Sequence, residues 1–467
     1  MANLLLIDFG STYTKVTAVD VEQEVILGTA SAMTTVTTDI TDGLDRALAT
    51  LADKIGARSY AKTLACSSAA GGLKMVAIGL VPELTAEAAK RAALGAGAKV
   101  LGVFCHELSE LEMAEIATLA PEIILLAGGT DGGNKEVLLH NAAMLAQMPK
   151  PVPIIVAGNK VVAGKAASLL ASAGKEAIVT ENVMPRLNEL HIEPARHAIR
   201  EVFLRRIVEA KGLNKARRLV DEVVEPTPAA VLKAAELLAL GTEREPGIGE
   251  LMMVDIGGAT TDVYSIASGA PTHEYVQQKG LPEPFAKRTV EGDLGMRYSA
   301  GSLVHAAGLT RLAKAAGVGE ADVARYLAVI EAQVDYLPQT AAEEAIEREL
   351  GCACTRLAVE RHVGRVETVY TTMGSMMLQT GKDLTGIKTV IGTGGVIIGS
   401  AEPEGMLAGV LADEAQPGLL KPKAPRLLVD KEYILAAMGL LGDVYPDVAV
   451  RMMKRIIAGG NAHGTKK

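Results

Sequence analysis

The chain opens with an apolar run, Leu4–Ile7, that breaks at Asp8–Thr14 and resumes at Val16–Val19. A strand-length apolar stretch, a tight polar loop and a second such stretch predict a β-hairpin. Farther on, short apolar runs at Leu73–Ile78, Val100–Phe104, Ile123–Leu126, Ile154–Ala157 and Ala177–Thr180 alternate with amphipathic segments near Thr85–Leu94, Ser109–Leu119, Asn134–Ala146 and Val161–Ala173. That alternation predicts a parallel sheet with helices on both faces. Thr85 stands where a helix cap is expected, and Glu87 precedes Arg91 by four residues, the favourable order for an ion pair on a helix. Polar helical segments follow near Glu193–Leu213 and Pro228–Ala239, and Gly241–Gly249 (GTEREPGIG) has the composition of a linker. Directly after it the hairpin pattern returns: Leu251–Val254, a Gly/Thr loop, then Val263–Ile266. The remainder reads as mostly helical, with a strand at Thr389–Ile391 and a frayed tail from Gly459. A helix over Tyr433–Leu441 is expected to be capped by Asp430 and stopped by Gly442.

The two hairpins echo each other. LLLIDFGSTYTKV begins at Leu4 and LMMVDIGGATTDV at Leu251, and their aspartates, Asp8 and Asp255, stand 247 positions apart. Two copies of one loop, each opening a half of the chain, predict two related lobes, 1–245 and 246–467.

Composition narrows the chemistry. The length, 467 residues, leaves room for two to four domains, since a domain takes ~100–200 residues. With Lys+Arg 47 against Asp+Glu 55 the net charge is −8, the wrong sign for a surface whose task is to hold nucleic-acid phosphates. Aromatics make up 3% with no Trp, so base-stacking platforms are lacking as well. Mean hydropathy is +0.24, yet no uncharged run reaches the ~18–20 apolar residues of a membrane span. The N-terminal MANLLLIDFG has no basic head, and Asp8 interrupts its apolar run, so no secretory signal is expected. Neither nucleic acid nor membrane is an expected partner. Cys66, Cys105, Cys352 and Cys354 lack the spacing of a zinc or iron–sulfur site and read as free thiols in a reducing cytoplasm.

The first loop suits phosphate. A tight turn after a strand presents backbone N–H groups; Gly10 allows close approach, and Ser11, Thr12 and Thr14 add hydroxyls. Lys15 adds a point charge. Asp8 cannot bind phosphate directly but can hold Mg²⁺ or a water of its shell. The second loop repeats this with Asp255, Gly257, Gly258, Thr260 and Thr261. Facing each other across a cleft, the two would grip a polyphosphate and one Mg²⁺ between two aspartates. A third element, TVIGTGGVIIG at Thr389–Gly399, runs a strand into Gly394 and Gly395, where a nucleoside can lie against bare backbone.

These elements, in this order, resemble the phosphate 1, phosphate 2 and adenosine motifs of the acetate and sugar kinase/heat-shock chaperone/actin superfamily. Three further segments resemble the L component of glutamate mutase: CSSAAGGLKMVAIGLVPELTAEAAKRAALGAGAKV from Cys66, IILLAGGTDGGNKEVLLHNA from Ile123 and RTVEGDLGMR from Arg288. That family accompanies coenzyme-B12-dependent mutases. The resemblance implies an actin-like ATPase of two ribonuclease-H-like lobes with an additional parallel α/β region. It implies an ATP- and Mg²⁺-dependent reactivating factor that binds a B12-dependent mutase and exchanges damaged cobalamin. Carried over by position, Asp8, Gly10, Ser11, Thr12 and Lys15 match phosphate 1; Asp255, Gly257, Gly258, Thr260 and Thr261 match phosphate 2; Gly394 and Gly395 match the adenosine turn. Asp8 and Asp255 would be the catalytic and metal-holding carboxylates. Asp293 and Gly295, in GDLG, are a candidate further Mg²⁺ or phosphate contact, and Gly128–Gly133 a candidate second glycine turn at a strand end.

No His has an Asp two positions before it, so the DxHxxG cobalt-ligating pattern is missing. Gly158–Ala166 only approaches a Walker A motif. His191, Glu193 and His197 read as a solvated helix face. Rival expectations are a small-molecule kinase, a nucleotide-gated activator of a radical dehydratase, and an actin-like filament protein; the sequence carries no sugar-binding signature, and only Cys352-x-Cys354 to offer a cluster.

Overall fold

In the computed structural model the residues described are all but 1–2, 11–12, 35–39, 69–72, 211–221, 273–274, 372–373, 458 and 460–467. The chain divides into two compact units, Met1–Lys233 with Ala436–Val448, and Ala234–Leu435 with Ala449–Lys467.

The first unit is built on β1 (Asn3–Phe9), β2 (Tyr13–Asp20), β3 (Val25–Met33), β4 (Lys62–Ser67) and, much later, β10 (Glu222–Pro226). Between β4 and β10 lie β5 (Leu73–Gly79), β6 (Ala98–Cys105), β7 (Ile123–Leu126), β8 (Ile154–Val156) and β9 (Ala177–Val179). The outer sheet runs β10-β4-β1-β2-β3, with β1–β3 an antiparallel meander and β4 and β10 added in parallel. β1 is central, and Leu4–Ile7 are all buried, which is why the run is continuously apolar rather than alternating. The second unit repeats the plan with β11 (Leu251–Ile256), β12 (Thr261–Ile266), β14 (Ala286–Glu291), β17 (Thr389–Thr393) and β18 (Arg426–Val429). Its sheet runs β14-β12-β11-β17-β18, again a meander of three followed by two parallel strands. The same order and the same strand senses, twice, are the duplicated ribonuclease-H-like sheet of an actin-like ATPase.

The insertion in the first unit is wholly parallel, order β6-β5-β7-β8-β9, with intervening helices Glu87–Gly95, Glu110–Leu119, Glu136–Ala146 and Lys160–Ser172. This doubly wound order has its topological switch point between β5 and β7. Glu87 and Arg91 pair at 2.9 Å as the spacing predicts.

Several expectations change. Thr85 caps no α-helix: it lies in a π-helical turn, Pro82–Ala86, and its hydroxyl accepts the N–H of Leu80 (2.7 Å) and Val81 (3.0 Å). Gly241–Gly249 is a closed turn rather than a loose linker. Thr242 N donates to Glu245 O at 2.8 Å, and Glu245 pairs with Arg451 at 2.7 Å. The region read as mostly helical also contains β13 (Val276–Lys279), β15 (Arg365–Thr371) and β16 (Gly374–Thr380), a small sheet of order β13-β16-β15. The last helices are Leu435–Gly442 and Pro446–Ile456, and the first starts after Tyr433 because that residue sits at φ 53°. Asp430 does cap it, accepting from Ile434 N at 3.0 Å and Leu435 N at 3.2 Å. The end of the Glu193–Leu213 prediction and the frayed-tail prediction, apart from Gly459, lie outside the described residues. No described helix is long and apolar enough to cross a membrane.

Candidate functional site

The two hairpins are one turn built twice. Asp8 pairs with Lys15 across β1–β2, and Asp255 with Asp262 across β11–β12. Gly10 N donates to Tyr13 O at 3.1 Å; Gly257 N donates to Thr260 O at 2.9 Å. A Cβ on Gly10 would stand 2.5 Å from Tyr13 O, and one on Gly257 3.0 Å from Thr260 O. The turn itself therefore requires glycine at Gly10, and at the same place in the second copy a side chain on Gly257 would force Thr260 O to give by a few tenths of an ångström.

In the first unit, Asp8 is held on several sides. Its carboxylate accepts the hydroxyl of Thr227 at 2.6 Å and the thiol of Cys66 at 3.6 Å, and lies 3.8 Å from the Lys15 ammonium. Burial, with the Asp8 charge second, pushes the Cys66 thiol well above its ordinary value, so it stays protonated and donates. Thr14, fully buried, meets the hydroxyl of Thr34 at 3.1 Å, and Thr34 also donates to Gly10 O at 2.9 Å. The Thr14 hydroxyl thus braces the turn from beneath. Ser11 and Thr12 lie outside the described residues.

The second unit shows more of its loop. The carbonyls of Gly257, Gly258 and Ala259 are all taken by the segment after GDLG: Met296 N to Gly257 O (3.1 Å), Arg297 N and Tyr298 N to Gly258 O (2.9 Å each), and Ser299 Oγ to Ala259 O (2.8 Å). The N–H groups of Gly258, Ala259 and Thr260 have no acceptor among the described residues. A loop with its carbonyls tied down and three successive N–H groups unspent is a ready anion cradle. Gly295 permits the approach, since a Cβ there would lie 2.4 Å from Ala259 C. Thr261 is fully buried, and its hydroxyl donates to Leu294 O at 2.6 Å, tying β12 to the same segment. Thr260 is half-buried and its hydroxyl reaches Asp262 at 3.4 Å.

Asp293 is gripped bidentately by Arg361 at 2.7 and 2.9 Å, and Glu291 shares that guanidinium at 2.7 Å. The hydrogen bonds to Asp293, more than the pair's partial burial opposes, push Arg361 above its ordinary value. Asp293 so anchors the segment that clasps the loop. Beneath it, Arg297 is buried and bonds Met296 O, Tyr336 O and Glu347 (2.8 Å), whose other oxygen accepts from Tyr326 at 2.7 Å.

The adenosine turn meets Asp255 directly. Gly394 sits at φ 95°, and a Cβ there would lie 2.6 Å from Asp255 Oδ1 and 2.4 Å from Ile256 O. Gly395, the first residue of a short helix Gly395–Gly399, has nothing within 4 Å of its Cβ position, so its face is open. Thr393 behind it bonds Asp430 at 3.2 Å. Within the second unit, then, Asp255, the Gly257–Thr260 loop, GDLG and the Gly394–Gly395 turn form one continuous surface. Asp8 and Asp255 are oxygen donors at strand ends, the ligand type Mg²⁺ takes. No group of three or more His, Cys, Asp or Glu poised for a metal occurs among the described residues.

Residues not anticipated include Thr227, Arg297, Arg361 and the buried pair Asp262–Arg288, 2.5 Å apart. Only Thr227 carried a local signal, standing just before Pro228 at a helix start. His197 pairs with Glu201 on an exposed helix face, but His191 stands in the loop before that helix and pairs with Glu181, so the expected face holds only Glu193 and His197. All four cysteines are free.

A family model described as MutL protein matches residues 4–457. Protein MutL of Clostridium tetanomorphum is 53% identical over 455 residues, covering 97% of this chain and 98% of that one. Among solved structures, a diol dehydratase-reactivating factor in nucleotide-free form aligns with 95% of this chain and 99% of its own, at 12% identity and TM-score 0.37. Component A of the (R)-2-hydroxyglutaryl-CoA dehydratase of Acidaminococcus fermentans aligns with 96% and 100%, at 10% identity and TM-score 0.33.

Proposed function

The chain belongs to the MutL family, the L component of glutamate mutase, and on that footing we propose that it is an ATP-dependent reactivating factor for an adenosylcobalamin-dependent mutase such as glutamate mutase or ornithine aminomutase. In this reading it acts in the cytoplasm, binds MgATP through its aspartate–glycine loops, and couples hydrolysis to release of damaged cobalamin from the partner. The observation that carries it is the repeated turn: aspartate, glycine and the same N–H-to-carbonyl closure at Gly10 and Gly257, with three N–H groups unspent in the second copy. Those donors would take phosphate oxygens, and the open face at Gly395 the nucleoside. Asp255, fixed against Gly394, would hold Mg²⁺ and orient the attacking water, with Asp8 its counterpart. Mg²⁺, when bound, supplies charge neutralisation on the terminal phosphates. Serine and threonine hydroxyls, here Ser11, Thr12 and Thr260, would complete the phosphate contacts, and Lys15 would add a cation.

The test has two stages. Calorimetry with MgATP should show binding, and Asp255→Ala should abolish hydrolysis with the fold unchanged by circular dichroism; undiminished turnover removes Asp255 from the reaction. Wild-type protein with MgATP should then restore a mutase inactivated by turnover when fresh adenosylcobalamin is supplied. Recovery equal with and without the protein rules out reactivation.

A further inference from the structure

The glycine run AGGTDGGN, Ala127–Asn134, stands outside the duplicated hairpins. It follows β7 and leads into the helix Glu136–Ala146, at the switch point of the inserted parallel sheet. Doubly wound sheets place ligands at that crevice, outside the carboxyl ends of the strands.

The loop is rigidly made. Asn159 accepts from Gly132 N (3.1 Å) and donates to Gly133 O (3.2 Å) and Asn134 O (3.0 Å). Asn182 donates to Gly129 O (2.9 Å) and Asp131 (3.0 Å), and Asp131 N donates to Pro185 O (2.9 Å). Asp131 also accepts from Lys160 N at 3.1 Å, and its carboxylate lies 3.5 Å from the Lys160 ammonium. Burial alone would raise the Asp131 carboxyl, but the bonds from Asn182 and Lys160 outweigh it and hold the group below the ordinary aspartate value. The Asp131 and Asn134 side chains and the carbonyls of Gly128, Gly129, Thr130, Gly133 and Asn134 are therefore spent on the loop's own shape.

Its first donors are not. Gly128 N, Gly129 N and Thr130 N have no acceptor among the described residues, although Gly128 and Gly129 are buried. Buried N–H groups without a partner are rare in native proteins. Gly128 stands at φ 142° and Gly129 at φ 70°, backbone conformations that favour glycine. Side chains are excluded: a Cβ on Gly129 would lie 2.3 Å from Asn134 O. Gly258–Thr260, the proposed phosphate cradle, has three successive unspent N–H groups in the same way. Charge around the loop is balanced, with Asp131 and Glu136 against Lys135 and Lys160, so the backbone donors decide what binds.

We propose that Gly128–Thr130 is a second oxyanion site, taking the phosphoryl group of a small phosphorylated ligand at the switch point of the insertion. It lies within the first unit and does not depend on the ATPase reading.

Hydrogen exchange with mass spectrometry tests it on the full-length protein. With chloride as the ionic-strength control, millimolar inorganic phosphate should slow exchange in peptides spanning 127–135, about tenfold at ten times the dissociation constant. MgATP run in parallel separates the sources. Protection of 127–135 by ATP as well as phosphate assigns the group to a nucleotide; protection by phosphate alone assigns it to another phosphorylated molecule. Gly129→Ala should abolish the effect. Lys135→Glu, an exposed change at the start of the following helix, should weaken it severalfold without touching the loop's bonds. No change over 127–135 with either anion in the wild type overturns the proposal, whatever happens over 255–262.

Discussion

Replacing Gly394 by alanine isolates the joint between the adenosine turn and Asp255. The new methyl carbon would lie 2.4 Å from Ile256 O and 2.6 Å from Asp255 Oδ1, where ordinary contact begins at 3.4 Å. Relief requires a shift of about 1 Å in a strand end whose neighbours are fully packed. The backbone there, φ 95° and ψ 147°, is a region that only glycine occupies without strain of about 1–3 kcal/mol. Overpacking adds about 1–3 kcal/mol. Scanning calorimetry should therefore show a fall of roughly 5–20 °C, taking about 2–4 °C per kcal/mol for a unit of this size. A displacement of about 1 Å at a reacting site costs on the order of a hundredfold in rate, so ATP turnover should fall at least that far at temperatures where the variant is folded. Gly395→Ala is the control. Nothing stands within 4 Å of its Cβ position, and alanine favours a helix over glycine by about 0.5–1 kcal/mol, so the fold should hold or gain. The methyl would nonetheless stand on the open face, and MgATP affinity should drop. A Gly394→Ala protein that melts and binds MgATP like wild type refutes the contact. One that loses stability but keeps its affinity refutes the nucleoside role alone.

Other outcomes test the scaffold. Arg297→Met strands the buried Glu347 carboxylate, and urea titration should show a loss of about 3–5 kcal/mol, largely recovered in the double variant with Glu347→Leu; a loss under about 1 kcal/mol would mean the pair is solvated. Thr227→Val removes the donor to Asp8 and should cost about 1–3 kcal/mol by the same assay, while Thr227→Ser should retain most of it. Burial, with Lys287 and Lys382 nearby, holds the His362 imidazole well below 6.5, so it stays neutral in the folded protein. The unfolded chain takes up that proton below about pH 6.5; its stabilising effect is complete above that pH and falls by about 1.4 kcal/mol per unit as the solution is acidified. His362→Asn should flatten this part of the urea midpoint–pH profile, and an unchanged slope would place the proton elsewhere.

Sequence periodicity was sufficient for elements that are buried on both faces or stand beside a turn with a fixed chemical requirement. Leu4–Ile7 and Leu251–Val254 are unbroken apolar runs because each is the central strand of its sheet, and the Asp–Gly that ends each is local chemistry. The parallel insertion was legible for the same reason: each strand is a short apolar run bounded by its own helix. Of the strands that sequence left unseen, β3, β13, β15 and β16 are half-exposed, and their alternation is too weak to stand out from loop, whereas β4 is buried but short and mixed in composition. Tertiary structure alone decided where the polar groups of the site go. Thr14 and Thr261 look like phosphate ligands in a string of letters, yet both hydroxyls turn inward, because the turn closes through Gly10 and Gly257 and leaves those side chains on the buried face. Asp293 finds Arg361, Asp8 finds Thr227, and the Gly257–Ala259 carbonyls find the residues after GDLG across gaps of 39 to 219 positions that no local rule can bridge. Hydrogen bonding between such distant partners depends on which strand lies beside which, and that is settled only when both sheets have formed.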